Sequence, residues 1–135
     1  MNTSSQLASI RVILADDSSR FLSMLERAFA SDPRFLVVGR AQSGQEALAQ
    51  VVHLRPELVV LDLSMPGMNG LEVTRQIKTL AEAPHIIMLT LYDTPQYRAA
   101  AAAAGVDHFI CKTELRTQLR PLLNSLLTSS SSSVL

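Results

Sequence analysis

The fold of this 135-residue chain is decided by the stretch Leu58–Gly70, which reads LVVLDLSMPGMNG. Its first four residues are apolar and indicate a strand that is buried on both faces. The strand ends on Asp62, and a loop rich in proline and glycine follows it. Because ligands of open α/β sheets bind beyond the carboxyl ends of the strands, this pattern presents a carboxylate at a ligand-binding edge.

Three other apolar runs end on polar residues in the same way, and these residues are Asp16 with Asp17, Thr90, and Lys112. One edge of a sheet would thus gather three carboxylates, a hydroxyl and an amine. At about 4 Å and an effective dielectric constant of about 20, each pair of like charges costs about 4 kcal/mol. The three carboxylates therefore call for a hard divalent cation with oxygen ligands, and Mg²⁺ is the expected ion.

Strand and helix patterns alternate five times along the chain, which predicts an α/β fold with a parallel sheet and helices on both faces. The expected strands are residues 10–15, 35–40, 58–61, 86–90 and 108–111. The expected helices are about residues 19–31, 44–55, 70–80, 95–104 and 114–127, from apolar spacing and capping signals.

In this order the strand-end residues and the loop Met65–Gly70 resemble the receiver domain of two-component response regulators. The resemblance implies a flavodoxin-like five-stranded sheet in the order 2-1-3-4-5, which brings the ends of strands one and three together. It also implies three parts of the chain. Residues 1–9 would be a flexible leader, 10–127 the receiver domain, and 128–135 a serine-rich linker or tail.

The resemblance further implies how the acidic residues act. Asp62 would accept a phosphoryl group from a sensor histidine kinase. Asp17 and Asp62 would ligate Mg²⁺ directly, together with the backbone carbonyl of Ser64, and Asp16 would hold the ion partly through water. Taken alone, the Asp16–Asp17 pair could simply cap the next helix, since aspartate favours such positions.

The other site residues follow from the same resemblance. Lys112 would pair with Asp62 and then with a phosphoryl oxygen, and Thr90 would donate its hydroxyl to another phosphoryl oxygen. Phe109 stands at the aromatic switch position, three residues before Lys112. A phenylalanine in a strand is most often part of the core, so its switch role rests on the resemblance alone.

Two positions depart from the pattern of many receivers, and both bear on the output. Leu91 follows Thr90 where many receivers have a small residue, and it could narrow access to Asp62. Thr113 follows Lys112 where many carry a cis-proline, a departure that resembles receivers of DNA-binding regulators with a helix-turn-helix output. We therefore expect control of a transcriptional output that is absent from this chain. A stand-alone receiver acting through protein contacts and a receiver that is never phosphorylated are the alternatives.

The last helix carries six leucines, more than one buried stripe requires, which indicates a surface for a homodimer or a partner. The leucines are Leu115, Leu119, Leu122, Leu123, Leu126 and Leu127.

Composition excludes several other classes of protein. Lysine plus arginine equal aspartate plus glutamate at 12 each, so the domain itself shows no footprint for nucleic acid or an anionic membrane. No run of about 18 apolar residues could span a membrane, and a single cysteine fits a reducing compartment such as the cytoplasm. We expect no enzymatic activity beyond the domain's own phosphoryl transfer and hydrolysis.

Two rival α/β proteins fail at required residues. A haloacid-dehalogenase-type phosphatase needs a second aspartate two residues after the nucleophile, and Ser64 occupies that position. A flavodoxin-like electron carrier needs a phosphate-binding loop after the first strand, where Asp16 and Asp17 would repel a flavin phosphate.

Overall fold

The computed structural model describes residues 9–134, with side chains described up to Thr128. Five strands alternate with five helices, and a short 3₁₀ turn, Lys112–Glu114, follows the last strand. The strands are β1 Ile10–Ala15, β2 Phe35–Ala41, β3 Leu58–Asp62, β4 His85–Thr90 and β5 His108–Cys111. The helices are α1 Ser19–Ala30, α2 Gly44–Leu54, α3 Gly70–Ile77, α4 Pro95–Ala104 and α5 Leu115–Val134. The expected leader lies outside the described residues, apart from Ser9.

The sheet is parallel throughout, in the order β2-β1-β3-β4-β5, as predicted. Neighbouring strands end together, since Ala15 pairs with Leu61 and Thr90 pairs with Cys111. The residues that end these strands or follow them directly therefore meet at one edge. The order changes direction between β1 and β3, where an open α/β sheet has its binding crevice.

Each face of the sheet carries its own hydrophobic cluster. Helices α1 and α5 cover one face, with Leu22, Phe29 and Leu119 among the buried residues. Helices α2, α3 and α4 cover the other. All five residues of β3 are buried, which explains why the four before Asp62 form an unbroken apolar run rather than an alternating pattern.

Side-chain caps start the first four helices. The side chains of Ser18, Ser43, Asn69 and Thr94 each accept a hydrogen bond from a backbone N–H in the first turn. Gly105 ends α4 with a φ of 106°, a left-handed conformation that glycine adopts without steric cost. The predicted range of this helix, residues 95–104, is thus confirmed.

Two predicted helix ends were wrong. Helix α3 stops at Ile77 rather than near Leu80, because the chain tightens and the N–H groups of Thr79 and Leu80 bond to carbonyls three residues back. Helix α5 continues to Val134 instead of ending at Leu127, since no glycine or proline follows to stop it. The division at residues 127 and 128 stays a prediction.

The leucines of α5 belong to the core. Leu115, Leu119 and Leu123 are buried, and the other three are partly buried against the same cluster. The six leucines thus cover a wider band of α5 than one buried stripe, and the surface for a homodimer or a partner stays a prediction. None of the helices in the described part of the chain is long and apolar enough to cross a bilayer.

Candidate acidic site at the carboxyl edge of the sheet

Three carboxylates meet where β1 and β3 end. Asp16, Asp17 and Asp62 each offer an oxygen, and these atoms all lie within 4.8 Å of one another. Asp16 is 1% exposed and Asp62 is 5% exposed, whereas Asp17 faces solvent. The sequence prediction that these residues converge is confirmed, and so is their convergence at the switch point of the sheet.

Asp16 also shapes the turn into α1. Its Oδ1 accepts a hydrogen bond from the Ser18 N–H at 2.9 Å, and its own N–H donates to the Ala41 carbonyl at 3.0 Å. The helix cap itself is Ser18, whose Oγ accepts the Phe21 N–H. Asp16 therefore combines a local turn role with its place in the acidic cluster.

Lys112 brings a cation into the cluster from the end of β5. Its Nζ lies 2.7 Å from Asp16 Oδ2 and 3.5 Å from Asp62 Oδ1, and its side chain is 14% exposed. The sequence predicted Asp62 as the partner of Lys112, but the ammonium lies closer to Asp16 than to Asp62. With all three carboxylates ionised, three negative charges and one positive charge leave a net charge of −2.

Burial and charge act together on Asp62. Loss of hydration, and after it the neighbouring charge of Asp16, raise the pKa of this carboxyl from 3.8 to a net value of about 6. The Lys112 ammonium and the Ser64 backbone N–H oppose the rise. A carboxylate with such a pKa is a better nucleophile than an exposed one and is still mostly ionised at neutral pH.

The loop after β3 holds the Asp62 backbone in place. The Gly70 N–H donates to the Leu63 carbonyl at 2.8 Å, and the Leu63 N–H donates to the Leu89 carbonyl at 3.1 Å. A Cβ on Gly70 would collide with the backbone carbonyl of Asp62. Glycine is therefore required where α3 begins, because the helix passes so close to the end of β3.

Thr90 ends the neighbouring strand and is buried. Its Oγ1 accepts the Tyr92 N–H at 2.9 Å, which leaves the hydroxyl proton available for another acceptor. Leu91 is 63% exposed, so most of its side chain faces solvent rather than the sheet.

Phe109 is partly buried and packs against the cluster covered by α2, α3 and α4. The guanidinium of Arg98 lies 4.7 Å from the centre of its ring, and Arg98 is also paired with Asp93 at 2.6 Å. The contact of Arg98 with Phe109 was not predicted, because an exposed arginine on α4 carries no sequence signal for it.

Phe21 is a second residue that sequence reasoning missed. The Nζ of Lys112 lies 4.2 Å from the centre of the Phe21 ring. The helical spacing of α1 placed Phe21 on the apolar face, which indicated only core packing. Its position in the first helical turn after the acid pair is the signal that could have linked it to the site.

The comparison with family models agrees with this geometry. Residues 12–124 match the response regulator receiver domain. Among curated relatives, response regulator MprA from Mycobacterium sp. (strain KMS) is 35% identical over 118 residues, which are 84% of this chain and 50% of the relative. Protein-glutamate methylesterase/protein-glutamine glutaminase 1 from Syntrophus aciditrophicus is 38% identical over 99 residues, which are 70% of this chain and 28% of that protein. The chain thus spans half or less of the length of these relatives.

Solved structures show the same fold. The signal receiver domain of NarL from Mycobacterium tuberculosis superposes with a TM-score of 0.83 at 26% identity, covering 89% of this chain and 97% of that one. A LuxR-family two-component response regulator from Aurantimonas sp. SI85-9A1 gives a TM-score of 0.83 at 26% identity, covering 90% and 86%. The CheX-CheY-BeF3-Mg complex from Borrelia burgdorferi contains a chain with a TM-score of 0.71 at 26% identity, covering 76% of this chain and 78% of that one. By sequence and by fold, this chain belongs to the response regulator receiver domain family of two-component systems.

Proposed function

We propose that this domain accepts a phosphoryl group on Asp62 from a sensor histidine kinase, in a reaction that depends on Mg²⁺. The observation that carries the proposal is a buried carboxylate at the end of β3 with two further carboxylates and an ammonium around it. A structural aspartate would gain nothing from a second buried carboxylate, because the two charges repel each other.

Asp62 would act as the nucleophile. One of its carboxylate oxygens forms a bond to phosphorus while the bond between phosphorus and the kinase imidazole nitrogen breaks. The electron pair of the broken bond returns to the imidazole, and the product on this chain is an acyl phosphate. Catalysis of such a transfer consists mainly of positioning and of stabilising negative charge.

The acidic residues fit a hard divalent cation. Their three carboxylates supply oxygen ligands and leave a net negative charge after Lys112 is counted. Asp17 and Asp62 would ligate the ion directly with the Ser64 carbonyl, and Asp16 would hold it partly through water. When bound, Mg²⁺ would supply positive charge that offsets the repulsion of the donor phosphoryl group by the carboxylates.

Lys112 and Thr90 would each bind a phosphoryl oxygen. The Lys112 ammonium needs only a short movement from its place between Asp16 and Asp62. The Thr90 hydroxyl proton is available because its bond to Tyr92 uses the oxygen as acceptor. Movement of Thr90 toward the phosphoryl group would then free space for Phe109, the proposed switch residue.

Labelling with a phosphorylated histidine kinase or acetyl phosphate plus Mg²⁺ tests this proposal. We expect a base-labile phosphoryl group on the wild-type domain and none on Asp62→Asn. Asp107→Asn is the matched control, because Asp107 lies before β5 at the opposite edge of the sheet, and it should be labelled normally. Equal labelling of Asp62→Asn with the same lability would refute the assignment.

The output proposed for the parent protein is transcriptional. It is supported by the likeness to a LuxR-family response regulator and by the half-length match to MprA. Phosphorylation would act by changing the contacts of residues 10–127 with a partner or a second copy, and residues 1–9 and 128–135 would serve as leader and linker or tail. A phosphoryl donor of this kind is made from ATP, so we place the reaction in the cytoplasm.

A further inference from the structure

The Lys112 ammonium has a third neighbour besides its two carboxylates. It lies 4.2 Å from the centre of the Phe21 ring, 2.7 Å from Asp16 and 3.5 Å from Asp62. We infer that Phe21 is a positioning residue for Lys112: its ring face holds the ammonium beside Asp16 and so sets how strongly Lys112 competes with a cation for the carboxylates. This inference deepens the proposed function and rests on it.

An aromatic ring is suited to this task because it attracts a cation without adding a charge. The negative face of the ring favours an ammonium within about 6 Å of its centre, and the attraction grows as water is removed. Lys112 is mostly withdrawn from solvent, since its side chain is 14% exposed. A fourth carboxylate in place of the ring would also hold the ammonium, but it would add to the repulsion within the cluster.

A short chain of hydrogen bonds fixes the backbone of Phe21 relative to the acid pair. Asp16 Oδ1 accepts the Ser18 N–H at 2.9 Å, and Ser18 Oγ accepts the Phe21 N–H at 3.1 Å. The residue that binds the ammonium most closely and the residue whose ring covers it thus belong to one capped turn. The cap thus fixes the Phe21 backbone beside the acid pair, and the ring packs against the core cluster under α1 and α5 while its face meets the ammonium.

The placement has two consequences for the proposed reaction. In the metal-free site the ring stabilises the pair between Lys112 and Asp16, which keeps one carboxylate oxygen occupied. In the phosphorylated state the same ring would restrict the positions open to the Lys112 ammonium and so keep it close to a phosphoryl oxygen. Loss of the ring should therefore tighten the binding of Mg²⁺ and slow the phosphorylation of Asp62.

A double-mutant cycle with Mg²⁺ alone as the probe tests the inference. Calorimetric titration should show that Phe21→Leu binds Mg²⁺ about fivefold more tightly than wild type, the factor typical of one cation–π contact. Phe21→Tyr keeps the ring face and should bind as wild type does. In a Lys112→Ala background, Phe21→Leu should have no effect, because the ammonium through which Phe21 acts is gone.

A metal-free readout separates this inference from the proposed function. In the proton NMR spectrum of the wild-type domain, the Lys112 Cε protons should be shifted upfield by the ring, and Phe21→Leu should abolish that shift while Phe21→Tyr retains it. Failure of the wild type to bind Mg²⁺ or to be labelled, with this shift present, would refute the proposed function and leave the Lys112–Phe21 contact standing. An equal effect of Phe21→Leu on Mg²⁺ affinity with and without Lys112, or an unshifted lysine, would overturn the inference.

Discussion

Asp16 and Asp17 are neighbours in sequence but lie in different environments. Asp16 is buried and holds the Lys112 ammonium at 2.7 Å, whereas Asp17 is exposed. An exposed carboxylate beside two buried ones is open to an incoming cation from solvent. Asp16 must instead share its oxygens with a lysine that is already present.

This difference predicts an order of Mg²⁺ affinities. Asp17→Ala should lose the most affinity, because it removes a proposed direct ligand. Asp16→Ala should lose about tenfold to a hundredfold, the usual cost of removing a residue that supports a metal from the outer sphere. Lys112→Ala should bind Mg²⁺ at least as tightly as wild type, since a competing cation is gone. Calorimetric titration of the three variants measures the order.

Equal Mg²⁺ affinity in wild type and Asp17→Ala would contradict the proposed ligand set. The fluorescence or circular dichroism melting curve of each variant serves as the control, so that a change in affinity is not mistaken for unfolding.

Sequence reasoning at the residue scale succeeded for the charged groups and failed for the groups around them. Asp62 and Lys112 could be found because each follows a recognisable strand and parallel strands align their ends. Phe21 and Arg98 could not, because an apolar residue on a helix face and an exposed arginine have ordinary explanations. Their contacts depend on side-chain positions that only the folded chain defines.

At the scale of the elements, α2 as well as α3 packs closely against the loop after β3. A Cβ on Gly44, the first residue of α2, would collide with the backbone carbonyl of Met68 in that loop. Gly39 in β2 is also crowded, but a Cβ there would meet the amide end of the Gln50 side chain at 2.5 Å. A backbone carbonyl cannot move without moving the loop, whereas a side-chain amide can rotate away.

The two glycines therefore form a matched pair of substitutions. We expect Gly44→Ala to lower the free energy of unfolding by about 2 kcal/mol, the usual cost of forcing extra volume into a packed site. Gly39→Ala should cost clearly less. Urea denaturation of both variants gives the two values, and Gly44→Ala should in addition weaken Mg²⁺ binding because the loop carries Ser64. Equal and small losses in both variants would show that the loop yields without penalty.

Element ends were harder to predict than element order. The end of α4 was correct because Gly105 gives a clear stop, while α3 and α5 lack such a residue at the expected position. Local hydrogen bonds decide where α3 tightens, and they have no signature in apolar spacing.

For the molecule as a whole, the topology followed from the sequence because alternating strands and helices admit few arrangements. Parallel neighbours require crossover helices, and right-handed crossovers place helices on both faces. The order of the strands came from the resemblance rather than from the residues. Burial of Asp62 makes its charged form unfavourable for folding, although the proposed function needs that charge. The sequence could not show this conflict, because it depends on how deeply Asp62 is buried.

The cost of burying the charged Asp62 carboxylate gives a prediction about how stability depends on pH. The pKa of Asp62 is raised to about 6 by burial and by the charge of Asp16. A raised pKa means that the protonated form stabilises the fold, so this stabilisation is complete below the unfolded value of 3.8 and is lost as the pH rises through about 6. Asp62→Asn mimics the protonated form. In EDTA at neutral pH it should be more stable than wild type by about 3 kcal/mol, since each unit of pKa shift corresponds to about 1.4 kcal/mol.

The gap between the two unfolding curves should shrink as the pH falls and should close below about pH 4, where both chains are neutral at this position. Asp107→Asn is the control with the opposite sign. Burial raises the pKa of Asp107, but the Lys78 ammonium and the Ile86 N–H outweigh burial and lower the pKa overall. Its charged form therefore stabilises the fold above the unfolded pKa, and Asp107→Asn should be the less stable chain at neutral pH. If Asp62→Asn were no more stable than wild type in EDTA, the charge of the buried carboxylate would not destabilise the fold. Cation binding would then have no such destabilisation to offset.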